Sequence, residues 1–142
     1  NKITFLSKAA YIENTKKKFF GLVEDDRGAL SEGASIIRDH NSNMYDVNEE
    51  KSIEVDCFDF IEYLKKLKDY DNIVIKMDVE GSEYILLEKI IENITEIQNI
   101  KHIFLEFHSR FMNKDLKKKF HLREIYIKES LKKNKINYTL WI

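Results

Sequence analysis

Apolar positions recur in this chain with two different periods, and the switches between them mark its elements. Ile3-Thr-Phe-Leu6 and Ala9-Ala-Tyr-Ile12 read as strand, Asn14-Thr15 as a turn, and the stretch around Lys18-Phe-Phe-Gly-Leu-Val23 as a second strand. Residues 25–52 are polar and include Gly28 and Gly33, a pattern that predicts a long loop with little regular structure. Ser52-Ile-Glu-Val-Asp56 alternates as a half-buried strand does. Asp59 then precedes Phe60, Ile61, Leu64 and Leu67, whose spacing predicts a helix of about three turns.

Asp71-Asn72 breaks that helix before an apolar run, Asn72-Ile-Val-Ile75, which reads as a buried strand continuing to about residue 78. A turn at Gly81 follows. The spacing then predicts a helix from Ser82 to about Asn93, with Ile85, Leu86, Leu87 and Ile90 turned inward and Ser82 as its N-cap. Ile100–Phe107 is the next buried strand. A long helix between about Leu116 and Lys133 offers Phe120, Ile125, Ile127 and Leu131 for packing, and Asn137–Ile142 closes the sequence as strand. Alternating strand and helix is the signature of an α/β fold. The connection between the strands at 72–78 and 101–107 is too long for a hairpin and suits a helical crossover, so those strands should be parallel neighbours.

Composition narrows the class. With 142 residues, 43% hydrophobic and 35% charged, the chain has the balance of one globular domain or a part of one. No apolar run approaches the roughly 20 residues that span a bilayer, which predicts no membrane partner. A net charge of −1 gives no reason to expect nucleic acid. Residues 113–142 are basic, a pattern read as a solvated helix face. The single cysteine, Cys57, excludes an internal disulfide and reads as a small buried hydrophobe; a cytoplasmic location fits these features.

Candidate chemistry gathers at strand ends. Asp78 and Glu80, two residues apart where the strand from Asn72 stops, can face one ligand if the segment is extended, and ligands of open α/β sheets bind outside the carboxyl ends of strands. Glu106 and His108 repeat that spacing at the end of the next strand, and a histidine beside a carboxylate is equipment for general base work. Ala9 and Ala10, being small, would let a flat ring approach the backbone, although a plain strand explains them as well.

The run Lys76-Met-Asp-Val-Glu-Gly-Ser-Glu83 closely resembles the signature of FkbM-type S-adenosylmethionine-dependent methyltransferases. Supporting resemblances occur in the expected order at Ala9-Ala10, Arg27-Gly-Ala-Leu-Ser31, Val55-Asp-Cys-Phe-Asp59 and Leu105-Glu-Phe-His108. The resemblance implies a partial Rossmann-like class I methyltransferase core with a mostly parallel sheet, and residues 1–142 as a single incomplete domain. It implies S-adenosylmethionine as cofactor, contacted by Ala9, Ala10 and Asp78, and O-methylation of a small-molecule or glycan hydroxyl by Asp78, Glu80, Glu106 and His108, with no metal assigned.

The family's glycine-rich cofactor turn has no counterpart in these residues, so the third and fourth strands of such a core should not be neighbours here. The chain as given is therefore expected to bind S-adenosylmethionine poorly by itself, and a missing N-terminal segment or another chain is an expected partner. Two alternatives stand beside this reading. One is a metal-dependent hydrolase or nuclease using Asp78, Glu80, Glu106 and His108 as ligands; the other is a non-catalytic interaction remnant.

Overall fold

The computed structural model describes residues 3–21, 23–25, 28–30, 33–40 and 52–141. In chain order its elements are β1 (Ala9–Tyr11), β2 (Thr15–Phe19), β3 (Val23–Asp25), β4 (Gly28–Leu30), β5 (Ile53–Asp59), α1 (Phe60–Lys66), β6 (Ile73–Met77), α2 (Glu83–Glu92), β7 (Ile100–Leu105), α3 (Lys114–Lys133) and β8 (Asn137–Leu140), with one 3-10 turn at Ser109–Phe111. The architecture is mixed α/β.

Strands β6, β7 and β8 form a parallel three-stranded sheet in that order, and α2 and α3 make the two crossovers. Burial alternates strictly along β6: Ile73, Ile75 and Met77 are buried while Val74 and Lys76 are not. The buried face packs under α2 and α3, whose Leu86, Leu87, Ile90, Ile127 and Leu131 join Ile103 and Leu105 of β7 in the core. The opposite face stays open, with Val74 60% and Phe104 36% exposed. There His102 Nε2 lies 2.9 Å from Thr139 Oγ1, and Lys76 sits over the Trp141 ring. A bidentate pair from Arg123 to Glu88, both bonds 2.7 Å, ties α3 to α2.

A second sheet has β5 in the middle, parallel to β1 and antiparallel to β2, and β3 pairs with β4 in a hairpin. Among the described residues β1 does not pair with β6. Cys57 of β5 is buried, and burial pushes its thiol pKa up. Asp59 caps α1, its Oδ1 accepting from Glu62 N–H at 2.9 Å.

Several expectations need correction. Residues 3–7 are not strand: they are exposed, Ile3 to 93%, because the ladder with β5 begins only at Ala9 and the segment pairs with no other strand among the described residues. The second strand starts at Thr15 rather than near Lys18, since pairing with β5 sets Thr15 opposite Cys57. Part of the predicted loop at 25–52 contains β4 and a bridge from Phe20 to Ser35, while residues 41–51 lie outside the described residues. Helix α1 has seven residues, about two turns. Ile125 is exposed, facing away from the stripe that Phe120, Ile127 and Leu131 bury. The basic residues Lys117, Lys118 and Lys119 do lie on an exposed face of α3. No helix of the described residues is long and apolar enough to cross a membrane.

Candidate functional site

Because β6 and β7 run parallel and in register from Met77 to Leu105, the residues that follow them leave the sheet at the same edge. Glu106 N–H donates to Met77 C=O at 3.1 Å and holds the two exits together. His108 Nε2 then lies 3.7 Å from Asp78 Oδ1, 3.4 Å from Glu80 Oε2 and 3.8 Å from Glu106 Oε1. All four residues singled out at the strand ends therefore surround one point. Their convergence does not arise from an extended segment, however. Glu80 has a φ of 48°, in the left-handed region that disfavours side chains, and Gly81 follows at 98°, so a tight turn aims the Glu80 carboxylate back over the strand end. Ser35 Oγ–H donates to the Glu80 carbonyl and helps hold that turn.

His108 is buried and fixed by a residue whose role sequence reasoning had not assigned. Glu83, fully buried at the start of α2, accepts from the His108 backbone N–H at 2.9 Å and lies 3.2 Å from its ring Nδ1. Its other oxygen accepts from Gly81 N–H at 2.8 Å. Glu83, rather than Ser82, is thus the side-chain acceptor at this helix start, taking the Gly81 N–H just before it. Ser82 occupies the cap position with helical φ and ψ, and its buried hydroxyl has no hydrogen-bond partner among the described residues. Burial alone would lower the His108 pKa, but the contact with Glu83 and the charges of Glu83, Glu80 and Glu106 outweigh it and hold the pKa above the usual histidine value.

The second residue that sequence reasoning missed is His40, whose side chain is 1% exposed. Its Nε2 lies 3.1 Å from Glu80 Oε2, yet the alignment falls short of a hydrogen bond and the nitrogen has no other partner among the described residues. A bridge between His40 and Met112, together with Asn113 N–H donating to Asp39 C=O at 3.1 Å, brings this segment onto the edge. The approach of His40, against the opposing effect of burial and with the charges of His108 and Arg110, lowers the Glu80 pKa. Glu106 is engaged elsewhere: Arg110 pairs with its carboxylate and also donates to Phe107 C=O.

Beside the cluster lies an open cleft of about 380 Å³ between the β1 and β6 ends, lined by Ala9, Ala10, Ser35, Phe58, Asp78 and Glu80 among others. Its size falls within the usual range for small-ligand pockets. Asp78 and Glu80 belong to both features.

No protein-family model, no curated protein and no solved structure matches this chain.

Glu83 lies at the end of the Lys76–Glu83 run, so its sequence position was conspicuous even though its burial was not. His40 gave no signal at all, because it sits 38 residues before Asp78 in a polar stretch without periodicity. Gly81 is the structural pivot. A β-carbon there would lie 2.7 Å from Met112 Cε and would have to adopt a φ of 98°. Gly81→Ala is expected to destabilise the fold by about 1–3 kcal/mol, the cost of a left-handed non-glycine residue plus displacement of Met112. Urea denaturation measures this, and an unchanged midpoint would show that the turn relaxes freely.

Proposed function

We propose that this chain forms the acceptor side of an S-adenosylmethionine-dependent O-methyltransferase, acting on a hydroxyl of a small molecule or glycan. The observation that carries the reading is the meeting of the small Ala9–Ala10 edge with Asp78 and Glu80 in one cleft, beside a buried His108 held by Glu83. The resemblance of Lys76–Glu83 to the FkbM-type signature supports the same reading.

The residues fit the cofactor in part. Ala9 and Ala10 leave room for a flat ring along one wall, and Asp78 offers hydroxyl-accepting oxygens at the other. Bound S-adenosylmethionine supplies an activated methyl group, which is the difficult part of the chemistry. The protein must align an acceptor oxygen and remove its proton. Asp78 and Glu80 orient the hydroxyl by accepting from it. His108, with Nδ1 directed at the Glu83 carboxylate, would present Nε2 to that hydroxyl and take its proton as the oxygen accepts the methyl group and the methyl–sulfur bond breaks, leaving the electron pair on sulfur. Glu83 keeps the ring in place and steadies the imidazolium that results.

The test is methyl transfer by the protein expressed from its complete reading frame, with Asp78→Ala as the informative variant. Turnover is expected to fall by about 100-fold or more, far more than cofactor affinity weakens, since an acceptor-positioning group acts mainly in the transition state. Equal loss of turnover and cofactor affinity would make Asp78 a cofactor ligand only. Absence of methyl transfer to any hydroxylated acceptor, with no S-adenosylmethionine binding by that protein, would sink the reading. The 142-residue chain alone is expected to bind the cofactor weakly in calorimetry.

A further inference from the structure

Asp78, Glu80 and His108 offer donor atoms that all lie within 4.8 Å of one another at the sheet edge, and His40 Nε2 lies 3.1 Å from Glu80 Oε2. Their composition matters more than their number. A purely acidic cluster at a surface is common and needs no ligand, but two imidazoles that are each at least 98% buried are not part of a solvated acidic patch.

Glu83 sets the direction of the His108 ring. With Nδ1–H donating to the buried Glu83 carboxylate, the neutral ring turns its Nε2 lone pair toward Asp78 and Glu80. The place between those groups is taken either by a proton on Nε2, which faces the carboxylates, or by a cation that the lone pair and the carboxylates hold together. His40 brings a second buried imidazole to this edge, its Nε2 3.1 Å from Glu80 Oε2 without hydrogen-bond alignment. Lys76 stands to one side, its Nζ 3.8 Å from the other oxygen of Asp78, Oδ2. Arg110 is occupied by Glu106 and the Phe107 carbonyl.

We propose that Asp78, Glu80 and His108 form a binding site for one divalent transition-metal cation, with Glu83 as the positioning residue for His108 and the buried His40 packed against the Glu80 carboxylate. Metal–ligand bonds of about 2.0–2.1 Å in a tetrahedron put neighbouring donors roughly 3.3 Å apart. His108 Nε2 stands 3.4 Å from Glu80 Oε2 and 3.7 Å from Asp78 Oδ1, close to that spacing, and the three residues offer donor atoms all within 4.8 Å of one another. The carboxylates of Asp78 and Glu80 balance the charge of one dication. An imidazole nitrogen among the donors favours the zinc, cobalt and iron class over magnesium and calcium, which prefer all-oxygen surroundings. A buried carboxylate on the far nitrogen of a ligating histidine is the usual outer-shell support of such sites. Glu106 is left out of the ligand set because Arg110 neutralises it. A cation held there would occupy the His108 Nε2 that the methyl-transfer reading gives to proton removal, so metal binding is tested on its own and does not rest on that reading.

The chain, stripped of metal with a chelator, is titrated calorimetrically with Zn²⁺ and with Co²⁺. One equivalent should bind at micromolar concentration or tighter, bound Co²⁺ should gain visible absorption, and Mg²⁺ should not compete. Glu80→Gln and His108→Gln should each weaken Zn²⁺ binding by about tenfold or more, and Glu83→Gln by about 10–100-fold. His102→Gln and His121→Gln should leave it unchanged, because these other two histidines lie away from the cluster. Imidazole NMR signals of the unaltered chain provide a measurement independent of variant folding. Zn²⁺ should shift those of His40 and His108 alone. No stoichiometric binding, shifts at His102 or His121 instead, or equal competition by Mg²⁺ would each overturn the site.

Discussion

Glu83→Ala is expected to destabilise this protein by about 3–5 kcal/mol, the range for removing one member of a buried, hydrogen-bonded ionic group. The carboxylate is fully buried and accepts from two backbone N–H groups, those of Gly81 and His108, besides facing the His108 ring. Alanine would leave both donors unpaired in a region without solvent access, at about 1–3 kcal/mol each before any relaxation. Glu83→Gln should fall between alanine and the native residue, because its carbonyl can serve one donor while its amide nitrogen must face the other. Equilibrium urea denaturation measures both variants. An effect below about 1 kcal/mol for alanine would mean that water enters the edge and replaces the carboxylate. Loss of Glu83 should also free the His108 ring, so stability and chemistry at this edge depend on the same side chain.

Ile103→Ala should be almost as costly, at about 2–5 kcal/mol, since it deletes buried carbon from the central strand of the parallel sheet and leaves a cavity. The neighbouring residue provides the control. Phe104 points to the opposite, open face, where it stacks beside His102 with ring centroids 4.6 Å apart. Phe104→Ala is expected to cost no more than about 1 kcal/mol despite removing the larger side chain. Thermal or urea unfolding of the two variants compares the two faces directly. Similar losses would show that the outer face of β7 is covered in solution, and would contradict the one-sided packing described above.

The sequence determined by itself what depends on local pattern. The apolar run at Ile73–Met77, the turn at Gly81 and the amphipathic stretch after it specify strand, turn and helix within twenty residues, and the crossover length makes β6 and β7 parallel. Parallel pairing then places Asp78 and Glu106 at one edge by geometry alone, which is why acids so far apart in the chain were legible as one group. What depends on a distant partner was not legible. Residues 3–7 have a strand's composition but pair with no strand among the described residues, and the start of β2 is set by β5, more than thirty residues further on. Tertiary structure alone decided that Glu80 turns inward through a left-handed backbone, that Glu83 replaces Ser82 as the acceptor at the start of α2, and that His40 joins the cluster. The physical reason is common to all three. Each is fixed by burial against a segment remote in sequence, where desolvation selects which polar groups meet, and periodicity along one chain segment carries no record of that choice.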